Sequence, residues 1–310
     1  FQIKKVNKLK NFFPLIIFGY NRPEHIKNLI LSIKKYKNLK KHKIYYFNDG
    51  PKTIEDYLKI KKIKIILSNS KIKFETKIFR KKNIGLSKSI ISGVNQILEK
   101  NLAAIVIEDD LILSKNAIEF INYYLDKFKN SKITGSISAY SYINFIPNYY
   151  VKNNYFTKRH SSWCWGTWSK VWNKINWNKI NYKKLYKLKK FEPKLNDLGY
   201  DLKYFLWAND KKIINSWAVK FNAFCALNKL TSIQPSKSLI INKGFDGSGS
   251  HSFMPTIRKL FYKNNLKLEN NKLNKFDIIL NKPTIHFKIK NYHKPSYRLK
   301  FLYYINKIFR

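Results

Sequence analysis

The sequence predicts an α/β fold with a mostly parallel central sheet flanked by helices, on three observations. Short apolar runs alternate with segments of helical period four times within about the first 130 residues. Each run stops at a polar turn, which is how strands hand over to helices in such sheets. At 310 residues and 44% hydrophobic content the chain can bury one large α/β core or two small ones, and wholesale disorder is excluded.

The elements follow in order. Phe1 to Phe13 is a basic, amphipathic lead-in. Pro14 opens Leu15-Ile16-Ile17-Phe18, a run of buried-strand type, and Gly19 to Pro23 turns the chain. Glu24 to Tyr36 places Ile26, Leu29, Ile30 and Ile33 at helical spacing. Ile44 to Phe47 reads as a second strand, closed by Asn48-Asp49-Gly50-Pro51. Ile54 to Ile60 reads as helix and Lys64 to Leu67 as a further strand. Asn83-Ile84-Gly85 precedes a helix over Ser87 to Leu98. Ala103 to Ile107 is the most hydrophobic strand and ends in Glu108-Asp109-Asp110; Asn116 to Phe128 returns to helix. Four stretches organise the chain: 1–13, 14–130, 131–254 and 255–310. All seven Trp residues lie from Trp163 to Trp217, either as packed core or as a platform for a flat ligand. The last stretch is basic, with Tyr, Phe and Ile interleaved, and suits either a docked helix or contact with an anionic membrane.

Lys and Arg number 62 against 18 Asp and Glu, a formal charge of +44. Such a charge attracts polyanions, anionic lipid and phosphorylated metabolites alike. Only six of the basic residues are Arg, the type that reads phosphates and bases bidentately, and no nucleic-acid motif is present. No specific nucleic-acid partner is expected. Two cysteines, Cys164 and Cys225, make neither a disulfide framework nor a metal pair, so a reducing, cytoplasmic setting is the expectation. No cleavable signal pattern and no run long enough to span a membrane is visible.

Ligands of parallel sheets sit beyond the carboxyl ends of the strands. Arg22, Asp49, Asn83, Gly85 and the 108–110 triplet all fall at strand ends or in the loops that follow. Three adjacent carboxylates repel one another until a positive charge arrives, and oxygen donors suit Mg2+ or Mn2+. A metal there would bridge a diphosphate leaving group while another carboxylate takes a ribose hydroxyl. The alternative is a polar turn before the next helix. Asp49 suits a base or ribose, or an ordinary turn; Arg22 suits a phosphate, or a salt bridge with Glu24.

These residues resemble a nucleotide-sugar-dependent glycosyltransferase of the GT-A fold, close to the N-acetylglucosaminyltransferase I family and its bacterial relatives in surface-polysaccharide synthesis. The matching pieces are Ile17 to Pro23, Tyr46 to Gly50, Asn83 to Leu86 and Ala104 to Leu111. Trp163 to Trp168, Asn215 to Ala218, Pro235 to Leu239 and Gly244 to His251 continue the likeness in order. The resemblance implies a Rossmann-like nucleotide-binding half over 14–130 and an acceptor half over 131–254. It implies inverting transfer of a hexosyl or N-acetylhexosaminyl group from a UDP-sugar or similar donor. The acceptor would be a hydroxyl of a glycan or lipid-linked saccharide, at the inner face of a bacterial membrane, in lipopolysaccharide or capsule synthesis. Asp110 would ligate Mn2+ or Mg2+, with His251 as a further candidate. Glu108 and Asp109 would support metal and nucleotide, and Asp49 would bind the nucleoside. Trp163, Trp165, Trp168 and Trp217 would line the sugar or acceptor side.

The chain departs from the family at Asn215-Ser216-Trp217, where the family places a carboxylate base before the Trp. Neither Asn215 nor Ser216 takes a proton as a carboxylate does. Asp246 and Asp210 are the nearby acidic candidates. That departure keeps a non-catalytic basic binding module open as an alternative. A sugar nucleotidyltransferase is a lesser one, because no Gly-rich N-terminal loop with the expected Arg and Lys is present.

Overall fold

A computed structural model describes residues 11–141, 154–187, 191–246, 279–280 and 294–308. The first half alternates as the apolar pattern requires. Strand β1 (Leu15–Gly19) leads to helix α1 (Pro23–Ile33), then β2 (Ile44–Asn48), α2 (Ile54–Asn69), β3 (Thr76–Phe79), α3 (Leu86–Leu98) and β4 (Ala103–Glu108). β1 pairs in parallel with both β2 and β4, and β2 with β3. Pro23 starts α1, where its missing N–H costs nothing, and Ile26, Leu29, Ile30 and Ile33 face the sheet. Residues 103 to 107 of β4 are wholly buried, as a strand covered on both faces must be.

One expected strand is corrected. Lys64 to Leu67 belongs to α2, which continues to Asn69, and the third strand is Thr76–Phe79. Ile60, Ile63 and Leu67 are buried at helical spacing, and a capping box of Thr53 and Asp56 nucleates the helix. A short apolar-basic run does not distinguish the two states without that register.

The second half extends the same sheet. It supplies β5 (Leu111–Leu113), α4 (Ala117–Lys127), β6 (Thr134–Ser138), β7 (Asn154–Thr157), β8 (Trp165–Trp168) and α5 (Ser169–Trp172). Helices α6 (Tyr182–Tyr186), α7 (Phe191–Asn196), α8 (Leu202–Asp210) and α9 (Trp217–Leu227) precede β9 (Thr231–Gln234) and β10 (Ile240–Asn242). β11 (Ile279–Leu280) and α10 (Tyr297–Ile308) complete the described elements. Among the described residues nine strands form one sheet in the order β11-β7-β9-β6-β8-β4-β1-β2-β3. β8 runs antiparallel between β4 and β6, so both halves of the chain share one core. β5 and β10 form a separate antiparallel pair.

Of the lead-in, residues 11–13 are described: Phe13 is buried, and its N–H donates to Asn122 of α4. Most of the tryptophans form a seam between β8 and its helices. Trp165 stacks on Trp217 with centroids 4.7 Å apart, and Trp172 packs 5.6 Å from Trp165. No helix among the described residues is long and apolar enough to cross a membrane.

Candidate functional site

The order β4-β1-β2-β3 contains a reversal. From β1 the chain steps outward to β2 and β3, then returns across β1 to lay down β4 on its other side. The crevice at the carboxyl ends of β1 and β4 is therefore the topological switch point, where an open α/β sheet has room for a ligand. Phe18 of β1 lies in register with Glu108 of β4, so the turn after β1 meets the acidic triplet directly.

Arg22 closes that crevice. It sits where β1 hands over to α1, and its guanidinium pairs with Asp109 through Nη2 and with Asp110 through Nη1 at 3.3 Å. The Tyr20 N–H donates to the other Asp109 oxygen at 3.2 Å. Burial pushes the Glu108 carboxyl upward in pKa, and Asp110 and Asp109 push it further. Burial also raises Asp109, with Arg22 pulling against it. Burial lowers the Arg22 pKa, but the carboxylates beside it more than reverse that effect. The crevice thus holds three acids and one fixed cation; Asp109 is buried, while Glu108 and Asp110 are half-buried.

The 243–246 turn forms the opposite wall. The Lys243 N–H donates to the Asp110 carbonyl at 2.8 Å. A Cβ on Gly244 would collide with the Asp110 carboxylate, so the backbone there approaches as only glycine allows. Phe245 packs edge-on against Trp163, with centroids 5.6 Å apart. Asp246 Oδ2 lies 3.2 Å from Nε2 of His25, one turn into α1.

Asp49, Asn83 and Gly85 come together as expected, but as a knot. Asp49 accepts the backbone N–H groups of Gly50 at 2.9 Å, Ile84 at 3.0 Å and Gly85 at 2.9 Å. Asn83 donates to the Gly50 carbonyl at 2.9 Å. Three of the roughly four acceptor positions of this carboxylate are taken by the chain itself. Gly85 caps α3 at φ +81°, and the Asn215 amide nitrogen lies 3.9 Å from where its Cβ would stand. Asn215 therefore borders the same loop.

Other expected site residues are placed elsewhere. Trp165, Trp168 and Trp217 are only 1%, 2% and 3% exposed, so their faces are spent on the core and offer no platform. Trp163 alone of the four retains an open flank. Asp210 at the end of α8 accepts the Lys183 N–H at 3.1 Å and so anchors the start of α6. One of its carboxylate oxygens is engaged there, at the junction of α6 and α8. His251 lies outside the described residues.

Sequence reasoning passed over Asp56, Tyr20 and His25. Asp56 accepts from the Tyr20 hydroxyl and the Asn21 amide at 2.6 Å each, fixing the turn that aims Arg22. Burial alone would raise the Asp56 carboxyl, but these bonds and two backbone N–H donors bring it down to about 2. The Thr53-x-x-Asp56 spacing was the available signal. The contact of His25 with Asp246 carries no local signature.

The donor chemistry suits a hard cation in one way only. Among the described residues no three His, Cys, Asp or Glu side chains are grouped as a metal shell. Mg2+ and similar ions are commonly held by one or two carboxylates plus substrate phosphates. Asp110, at the mouth of the crevice, fits as such a ligand.

No known protein-family profile matches the chain, and no curated protein matches it. Among solved structures it is similar to S. aureus TarS residues 1–349 in complex with UDP, with 14% identity and a TM-score of 0.41. That match covers 74% of this chain and 60% of the neighbour. It is also similar to the mannosyltransferase PcManGT from Pyrobaculum calidifontis in complex with GDP-Man and Mn2+. Here identity is 7% and the TM-score 0.40, over 54% of this chain and 48% of that one. The chain thus spans less than two thirds of either neighbour's length, and likeness at this level defines no activity.

Proposed function

We propose that the chain is a GT-A-type glycosyltransferase, transferring a sugar from a nucleoside-diphosphate donor to a hydroxyl of a glycan or lipid-linked acceptor. The observation that carries the reading is the switch-point crevice in which Arg22 meets Asp109 and Asp110. A fixed guanidinium beside a carboxylate able to hold a divalent cation is the pairing a diphosphate needs. A bound Mn2+ or Mg2+ would supply charge neutralisation for a diphosphate leaving group. Asp110 would hold that ion, with Glu108 and Asp109 shaping the field around it. Arg22 would place its guanidinium against the phosphates. Asp49, Asn83 and Gly85 would form the nucleoside wall, Asp49 acting through the loop that it ties.

Transfer requires the acceptor oxygen to bond to the sugar's anomeric carbon while the bond to the diphosphate breaks. The acceptor proton must go to a base. Asn215 borders the loop but does not take it, and Asp210 has one oxygen engaged at the start of α6. Asp246, on the turn that closes the crevice and beside His25, is the carboxylate we assign to that step. Trp163, beside Phe245, would receive the apolar face of a sugar.

The test is thermal stabilisation of the purified chain across a panel of UDP-, GDP- and other nucleotide-sugars, with and without Mn2+. A metal-dependent rise with one donor is expected. Asp110→Ala should abolish it in a sample that still unfolds cooperatively. Asp246→Asn should retain the rise and lose at least about a hundredfold in turnover. Asn215 favours a second reading, a non-catalytic basic binder. The absence of any donor-induced shift from a folded sample would move the assignment there.

A further inference from the structure

α10 turns an aromatic stripe outward. Leu299 and Tyr303 are buried against Tyr204, Trp207 and Ala208 of α8, which fixes the helix to the body. Tyr297 and Phe301, spaced i and i+4, lie on the other side and are 91% and 64% exposed, and Tyr304 at i+7, 49% exposed, borders them while its hydroxyl reaches the Tyr204 hydroxyl of α8 at 3.3 Å. At that spacing they form one line along the helix, and the exposed Arg298 and Lys300 flank it on either side. The helix contains no Asp or Glu.

The neighbouring surface continues the pattern. Tyr182 of α6 packs on Tyr303, and the half-exposed Tyr186 stacks on Tyr182. Lys183, Lys184 and Lys187 stand exposed around them. From residue 278 to the last residue given, the sequence has eight Lys or Arg and no acid.

Two simpler explanations fail. A helix whose only task is to dock on α8 needs one apolar face, and α10 has spent that face on Leu299 and Tyr303. A surface for a soluble polyanion needs cations, and gains nothing from an exposed Phe between them. Rings with polar tips beside long basic side chains are the composition of a lipid headgroup boundary. The charge complements an anionic leaflet. We infer that the exposed face of α10, with the Tyr and Lys residues of α6, is a docking surface for an anionic lipid bilayer. The rings enter the headgroup layer and Arg298, Lys300 and the α6 lysines meet lipid phosphates. This holds whether or not the strand-end crevice transfers a sugar.

The experiment is flotation of the full chain with vesicles of phosphatidylcholine containing about one-third phosphatidylglycerol, at about 0.15 M salt. The parent protein should float with these vesicles and not with pure phosphatidylcholine. The combined variant Tyr297→Ser, Phe301→Ser should lose at least about fivefold in vesicle binding. Both positions are exposed and neither side chain holds the helix to α8, so an unchanged unfolding midpoint should accompany that loss. Phe301→Trp supplies a second readout: brominated lipid should quench its fluorescence beyond any change in the parent, whose Trp165, Trp168 and Trp217 are buried. The inference is overturned if the parent fails to float at that salt, if the double serine variant floats equally well, or if Phe301→Trp is not quenched. Loss of binding to an RNA homopolymer by the serine variant, with vesicle binding intact, would overturn it in favour of a nucleic-acid surface.

Discussion

At the scale of single residues, Arg22 holds the crevice together by charge. Asp109 is buried and depends on it. Removing one member of a buried pair leaves an unpaired charge and costs several kcal/mol, whereas removing both costs much less. Arg22→Met should therefore destabilise the protein by about 3 kcal/mol in urea unfolding. The double variant Arg22→Met, Asp109→Asn should recover half or more of that loss. Equal losses in the single and double variants would show that the pair is not coupled. The triplet 108–110 and Arg22 were legible from their position at strand ends. Their pairing was not, because nothing in the spacing says that residues 22 and 109 meet. Asp49 was legible as a strand-end acid, yet its hydrogen bonds to Ile84 and Gly85 show a residue that shapes a loop from within. The expectation for the tryptophans failed at Trp165, Trp168 and Trp217 because aromatic content alone does not separate core from platform; burial does.

At the scale of elements, α2 shows where a sequence pattern needs a terminus to be read correctly. Its apolar residues are sparse among lysines, and the run Lys64 to Leu67 has enough Ile to pass for a strand. The Thr53 hydroxyl accepts the Asp56 N–H at 3.1 Å, and Asp56 returns a bond to the Thr53 N–H at 3.2 Å. Thr53→Ala should cost about 1 kcal/mol, measured by chemical denaturation. Because Asp56 also grips Tyr20 and Asn21, the same variant should loosen the turn before α1, seen as faster amide exchange at Tyr20. The strands β1, β2 and β4 were plain in the sequence, since buried parallel strands read as continuous apolar runs. β3, whose first two residues are exposed, and the short strands β6 to β9 carry no such run.

At the scale of the whole molecule, two buried histidines set part of the response to acid. Burial lowers His42 to about 4, although its hydrogen bond with the Phe13 carbonyl works the other way. Burial likewise lowers His160 to about 3. Both are neutral in the folded chain, while the unfolded chain protonates them near pH 6.5. Their contribution is therefore complete above about pH 6.5 and is lost as the pH falls toward their folded values. Glu108 and Asp109, whose pKa values are raised, act in the opposite sense, so the total curve mixes the two. A difference measurement isolates one. The stability advantage of the parent over His42→Asn should be flat above pH 7 and shrink by about 1.4 kcal/mol per pH unit below pH 6.5. An advantage independent of pH would mean that His42 titrates alike in both states. The alternation of the first half made the fold class legible. The insertion of β8 between β4 and β6 was not, because that pairing joins segments far apart in sequence and is decided by packing.

That insertion also bears on how the protein is made. During synthesis β4 is complete at Glu108, but the strand that covers its free side ends only at Trp168, 60 residues later. At about 5–20 residues per second, the ribosome needs roughly 3–12 s to cover that distance. Throughout that interval Ala103-Ala104-Ile105-Val106-Ile107 presents a bare, uncharged edge to any other nascent chain on the same message. The wholly buried run at the centre of the sheet is, for those seconds, the segment of the growing polypeptide most in need of a chaperone.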